Sequence, residues 1–322
     1  MITIGITFCD KDYQYYDRLV KQIEERVKLP YEIVVIDNTE GNKLGDKADF
    51  AFGYNAFQFA ARYKIIKMAK GDYIWFIDGD DEILGLDYIS DSDVIIFDYN
   101  EEDKEDPVED KVYDCDFMSV EFLYSESKGA LWNKLIKKSC FDNMDDYIDN
   151  PLLKVVSMED TFYCCLAFKS AKTVESNHRV IYKHNPGLSG TRHITNEQMD
   201  TLLTGIEDVL KLFDKLGMDM RKPEVYYLAQ YIPNAEDPAY VLSSLMRLVD
   251  DKDYWFDRYL NLYLVDERVK QAYMMKFNEV PKNKMIIGYP DGRKEVRYEE
   301  YKITRSVNNS LESCNLYSLL ST

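Results

Sequence analysis

Through about the first hundred residues, short apolar runs alternate with stretches of helical spacing, and that alternation restricts the fold more than any other feature. The first run, Ile2-Thr3-Ile4-Gly5-Ile6-Thr7-Phe8, predicts a strand. Tyr16, Leu19, Val20, Ile23 and Val27 follow at helical spacing, and Pro30 ends that helix. A second strand is expected at Glu32-Ile33-Val34-Val35-Ile36 and a second helix from about Asn55 to Ala69. Further strands are expected at Tyr73-Ile74-Trp75-Phe76-Ile77 and Val94-Ile95-Ile96-Phe97. Short apolar runs alternating with helical patterns point to an α/β domain, a sheet with helices packed on it.

From about Thr195 the texture becomes helical. Thr195 and Gln198 have the spacing of a capping box, and Met199, Leu202, Leu203, Ile206, Val209, Leu210 and Phe213 share one face. Near the end, Met285-Ile286-Ile287-Gly288, a Pro290-Asp291-Gly292 turn and a returning strand predict a hairpin. A chain of 322 residues has room for two domains. The expected division is residues 1–194 as an α/β domain and 195–322 as a mainly helical region with a terminal β-hairpin.

Composition weighs against several classes of function. The net charge of -18, with no cluster of Lys or Arg, disfavours nucleic acid as a partner. The N-terminus lacks the basic flank and apolar stretch of a signal peptide, and no run of about 18 apolar residues is long enough to span a membrane. A cytoplasmic protein is therefore expected, with peripheral membrane association still open to it. Six Cys form no C-x-x-C pair, so reduced, buried thiols are expected, including the vicinal Cys164-Cys165. The acidic run Glu101 to Asp110 reads as a solvated loop without chemistry.

Chemistry is concentrated after the third long strand. Asp78-Gly79-Asp80-Asp81 follows it directly, at the carboxyl end of a sheet, where ligands of open α/β sheets bind. Carboxylates crowded on one short turn repel one another unless a cation is shared among them. Hard oxygen ligands without a Cys or His pattern suit Mg²⁺ or Mn²⁺, which also takes oxygens from a substrate diphosphate. A solvated acidic turn or a structural calcium loop is the plainer alternative.

The surrounding motifs keep the order and spacing of a known family. Thr7-Phe8-Cys9-Asp10 ends the first strand, Val35-Ile36-Asp37-Asn38 the second, and Ala61-Arg62 lies on the following helix. Ala69-Lys70-Gly71-Asp72-Tyr73-Ile74, Asp78-Gly79-Asp80-Asp81, Leu131-Trp132-Asn133-Lys134-Leu135 and Met158-Glu159-Asp160 follow. Over about residues 1–190 the sequence resembles the family 2 inverting glycosyltransferases with the GT-A fold. It departs from them at Thr7, where Pro is common, and at Tyr63, where Asn commonly follows the Arg.

The resemblance implies that the sheet is mixed and mostly parallel with flanking helices. It implies a metal-dependent transfer of sugar from a nucleotide-diphosphate donor, most simply a UDP-sugar, to a glycan or glycolipid hydroxyl. It implies that Thr7, Phe8 and Asp10 contact the nucleotide, that Asp37 accepts the uracil imide, and that Asp78, Gly79 and Asp80 form the metal and diphosphate turn. It makes Asp160 the general base, with Glu159 as second candidate or acceptor-orienting group, although by themselves the two read as charge favoured at a helix N-terminus. Arg62, Lys134 and Lys183 are candidates for the phosphates, although Arg62 and Lys134 suit structural ion pairs equally. Trp132 reads as core or wall of the site, and His184 as a late-loop ligand completing the metal shell or as a surface His. Other acceptors, a protein or a modified nucleic-acid base, fit the same chemistry. A sugar nucleotidyltransferase would want a Gly-rich, Arg-containing first loop, which Thr7 to Tyr13 lacks. A non-catalytic nucleotide-sugar-binding module completes the alternatives.

Overall fold

The computed structural model describes residues 1–99, 111–114, 129–155, 157–185, 195–229, 235–250, 282–288 and 294–300. Its centre is the strand read first in the sequence. Strand β1 (Ile2–Phe8) is buried along its whole length because it has a parallel neighbour on each side, β2 (Tyr31–Asp37) and β4 (Tyr73–Asp78). The edge strand β3 (Phe50–Ala51) pairs in parallel with β2. In this block the carboxyl ends of β1, β2 and β4 lie side by side, with Phe8 opposite Asp37 and Thr7 opposite Asp78.

Helix α1 (Tyr16–Arg26) lays Leu19 and Ile23 on the core that contains Ile2, Ile4 and Ile6. It also clamps the strand β5 (Glu82–Ile83): the Ile83 amide donates to Gln22 Oε1 at 3.1 Å and Arg26 donates to the Ile83 carbonyl at 2.6 Å. Helix α2 (Phe57–Met68) covers the other face, where Ile65 fills the space above Gly5. At Gly71 the entry to β4 passes so close to β1 that an added Cβ would lie 2.5 Å from the Thr3 amide nitrogen.

Beyond β4 the sheet changes character. The short β8 (Lys134–Lys137) runs antiparallel between β4 and β6 (Val94–Tyr99), and the long β9 (Thr173–Lys183) runs parallel to β6. β5 and β7 (Lys111–Asp114) pair antiparallel with β9. The whole is one nine-stranded mixed sheet, as expected for its class, but β5, β7, β8 and β9 have no period in the sequence that announced them. β9 matters most, because β5 holds its end, Tyr182 and Lys183, beside the acidic turn.

Helix α3 (Glu159–Ser170) begins at the Glu-Asp motif and is buried through Phe162–Phe168. Helix α4 (Asn196–Leu216) carries the expected capping box, with Gln198 N donating to Thr195 Oγ1 and Thr195 N to Gln198 Oε1. It packs on α3 through Phe162 and Phe213, whose ring centroids are 5.5 Å apart. After α5 (Arg221–Ala229) the chain divides into two compact units, Met1–Asp237 and Pro238–Thr322. That division falls beyond α5 rather than at the change of texture near Thr195, because α4 buries its apolar face on the α/β domain. The second unit contains α6 (Pro238–Leu248) and the hairpin β10 (Lys282–Gly288) with β11 (Lys294–Glu300). The expected Pro-Asp-Gly turn and the acidic run Glu101 to Asp110 lie outside the described residues. No helix of the described residues is long and apolar enough to cross a membrane. Cys9, Cys140, Cys164 and Cys165 are free thiols, and Cys115 and Cys314 lie outside the described residues.

Candidate active site

The turn Asp78–Asp81 is shaped by the return of β9. Tyr182 is fully buried; its hydroxyl donates to Asp81 Oδ2 at 2.7 Å and accepts from the Asp78 amide at 3.2 Å. Asp81, also fully buried, accepts further bonds from the Asn185 amide at 2.8 Å and from His184 Nδ1, 3.2 Å away. Arg18 donates to the carbonyls of Asp80 and Asp81, and Asn185 Nδ2 to that of Asp80. With its backbone held from both sides, the turn leaves Asp80 exposed and Asp78 half-buried. Asp80 has no ion-pair partner among the described residues; although the residue is exposed as a whole, partial desolvation of its carboxyl and the charges of Asp81 and Asp78 raise that carboxyl above the ordinary range.

A further carboxylate, Asp12, joins this group. It is 5% exposed and accepts from the Cys9 amide at 2.5 Å and the Cys9 thiol at 3.2 Å. Gly79 lets it approach: a Cβ there would lie 2.6 Å from the Phe8 ring and 3.0 Å from Asp12 Cγ. Burial first, then the negative charges of Asp80 and Asp78, push Asp12 from 3.8 up to about 7. Burial and the adjacent Asp12 likewise push the Cys9 thiol up to about 11, which makes it a poor nucleophile.

The raised Asp12 makes stability depend on pH with a definite sign. Between about pH 4 and pH 7 the folded chain binds at Asp12 a proton that the unfolded chain releases, so the contribution of this group to stability is full below this window and is lost as pH rises through it. The slope approaches about 1.4 kcal/mol per pH unit. In EDTA, the wild-type melting temperature should drop more than that of Asp12→Asn between about pH 5 and about pH 8. Equal drops in the two proteins would contradict this assignment.

The other wall comes from α2 and α3. Arg62, on α2, is buried and donates to Asp78 Oδ1 at 3.1 Å and to Glu159 Oε1 at 3.3 Å, and it is ion-paired with Asp160. The chain enters α3 through Met158 in the left-handed region, φ 64°, which turns Glu159 and Asp160 towards Arg62. Burial raises Glu159 against the opposing pull of Arg62. Trp132 completes the lining, stacked on Tyr182 at 5.0 Å and on His184 at 5.1 Å.

The structure thus brings Arg62, Asp78, Glu159 and Asp160 together as one group, with Gly79, Asp80, Trp132 and His184 beside it. The remaining candidates are placed differently. Thr7 and Phe8 are buried in the sheet, where they support the turn rather than face a nucleotide. Asp10 is at the surface in an ion pair with Lys43, 2.6 Å away. Asp37 is fully buried: it accepts from the Thr39 amide and hydroxyl and from the Leu44 amide, so its carboxylate holds the loop after β2 rather than reaching for a base. Lys134 is fully buried, with Nζ donating to the Ala130 carbonyl and to Asn133 Oδ1 at 2.8 Å, which is a structural role and not a phosphate contact. Lys183 pairs with Glu82 at 3.1 Å.

Among the described residues no three His, Cys, Asp or Glu side chains converge on one metal position. His184 therefore does not form a ready-made ligand set with Asp78 and Asp80. Two carboxylates do fit a divalent cation of the kind that takes its remaining oxygens from substrate phosphates, and the unneutralised charge on Asp80 is consistent with one. Asp12, Asp81, Tyr182 and Asn185 were not assigned site roles from the sequence. Of these, only Asp81 carried a signal there, as the last carboxylate of the turn.

No family profile matches the sequence, and no curated protein matches it by sequence. Solved structures do match. TarS of S. aureus, residues 1–349, in complex with UDP aligns with a TM-score of 0.51 at 14% identity over 93% of this chain and 97% of that one. The same protein in complex with UDP-GlcNAc gives 0.50 at 14% identity over 93% and 99%. At that identity the likeness is one of fold. The chain has a GT-A type α/β fold, in which a sheet flanked by helices presents an acidic turn at the carboxyl end of a central parallel strand.

Proposed function

We propose that this chain is a metal-dependent, inverting glycosyltransferase that moves a sugar from a UDP-sugar to a hydroxyl of a glycan or glycolipid. One observation carries the reading. A carboxylate turn that suits a cation and a diphosphate stands across Arg62 from a second carboxylate pair at the start of α3. The likeness in fold to a protein bound to UDP and to UDP-GlcNAc supports the choice of donor.

In this reading Asp78 and Asp80 would hold Mg²⁺ or Mn²⁺, which would supply positive charge for the leaving diphosphate. Asp81 and Tyr182 keep those two carboxylates on a fixed turn, and Trp132 walls the site against water. Asp160 takes the proton of the acceptor hydroxyl as its oxygen bonds the anomeric carbon and the bond from that carbon to the diphosphate oxygen breaks. Glu159 orients the acceptor. Its carboxylate, which accepts from Arg62, has a second oxygen able to accept from an acceptor hydroxyl.

The test is a panel of nucleotide sugars, UDP-GlcNAc among them, assayed with Mn²⁺ for thermal stabilisation and for slow release of the nucleoside diphosphate. A true donor at about a hundred times its Kd stabilises the fold by roughly 2.7 kcal/mol. If no nucleotide sugar stabilises the protein or is cleaved, the proposal fails.

A further inference from the structure

Arg62 has a more specific part than that of one more cation near the donor. Its side chain is 4% exposed, and its guanidinium already serves Asp78, Glu159 and Asp160. These carboxylates belong to two elements that are far apart in sequence, the end of β4 and the first turn of α3. Neither the arginine nor the pair on α3 is free to relax. Tyr163 of α3 donates to the Phe59 carbonyl of α2 at 2.9 Å, Phe59 packs on Phe162 at 5.8 Å, and Met158 fixes the entry to α3 in the left-handed region. An arginine that served chiefly to bind phosphate would keep donors directed at open space, whereas these are directed at carboxylates of the protein.

We infer that Arg62 is a positioning residue that sets Asp160 against Asp78, so that one buried guanidinium fixes the separation between the donor side and the acceptor side of the site. This rests on the reading of Asp160 as the group that takes the acceptor proton. Three carboxylates on one guanidinium also mean that losing the arginine leaves them repelling one another in a poorly solvated place.

Two measurements test the inference. The first needs no ligand: thermal unfolding of Arg62→Gln, Asp160→Asn and the double variant. Arg62→Gln should melt several degrees lower, and adding Asp160→Asn should recover part of the loss, because residues that share an ion pair are not additive. Strict additivity would overturn the inference. The second compares UDP affinity by calorimetry with turnover of UDP-GlcNAc, or of the donor found in the panel. Arg62→Gln should lower turnover by about thirtyfold or more, within the hundredfold that misplacing a group by about 1 Å can cost, with UDP affinity changed by less than about threefold. Arg62→Lys should restore part of the turnover. A loss of UDP affinity equal to the loss of turnover would make Arg62 a phosphate ligand and overturn the inference, and so would unchanged turnover. Should Arg62→Gln not fold, Arg62→Lys carries both comparisons, since it keeps the charge and loses the fork that spans the two elements. A wild-type chain that neither binds UDP nor cleaves any nucleotide sugar sinks the proposed function instead, and the unfolding cycle alone then decides the role of Arg62.

Discussion

Asp160→Asn is expected to lower turnover by about a hundredfold or more, the usual range for a general base, while changing UDP-sugar affinity only a few-fold. An inverting transfer is a direct displacement, so the base faces the acceptor and has no part in holding the diphosphate. Its interaction with the acceptor proton develops chiefly in the transition state, and removing such a group lowers kcat without a matching loss of ground-state binding. The asparagine keeps the shape of the side chain at the start of α3. Arg62 keeps Asp78 and Glu159 as partners, so the fold has no strong reason to fail. Stopped assays of donor turnover beside calorimetry with UDP separate the two quantities. If Asp160→Asn stays near normal while Glu159→Gln loses turnover, the base is the neighbour. If both remain active, the arrangement around Arg62 is not the catalytic one.

Asp80→Ala should remove cation-dependent UDP binding, on the order of a hundredfold in affinity, since even groups that merely orient a metal ligand cost 10- to 100-fold when lost. Stability should move the other way or not at all. Asp80 is exposed, has no ion-pair partner among the described residues, and is repelled by Asp81 and Asp78. Deleting it relieves that repulsion and also lessens the charge acting on Asp12. A binding loss accompanied by an unchanged or raised melting temperature would mark Asp80 as a functional carboxylate, because sites commonly carry unfavourable charge that binding later neutralises. UDP affinity that is the same in Mn²⁺ and in EDTA for the unmodified protein would remove the basis for the metal.

Features that depend on near neighbours along the chain were legible before folding is considered. The strands around β1, β2 and β4 and the helices α1 and α2 follow from continuous apolar runs and from helical spacing. Thr195 and Gln198 cap α4 because both reciprocal bonds form within a single turn. The acidic turn was legible for the same reason, being a few consecutive residues at the end of a strand, whereas Glu159-Asp160 stood out only through the resemblance and otherwise reads as charge at a helix start.

Which of those carboxylates face solvent and which are consumed inside the protein follows from contacts between distant segments. Asp80 and Asp81 are adjacent, yet one is exposed and the other fully buried, because Tyr182, His184 and Asn185 return on β9 and its following loop and bond to the carboxylate of Asp81. Asp37 is likewise taken by its own loop, and Lys134 by the carbonyl of Ala130, where the family resemblance implies ligand contacts for both. Arg62 meets Glu159 across 97 residues of chain. A charged side chain has no intrinsic destination. It goes where the folded backbone and the other charges lower its electrostatic and desolvation energy most, and pairings between distant segments leave no period in the sequence to be read.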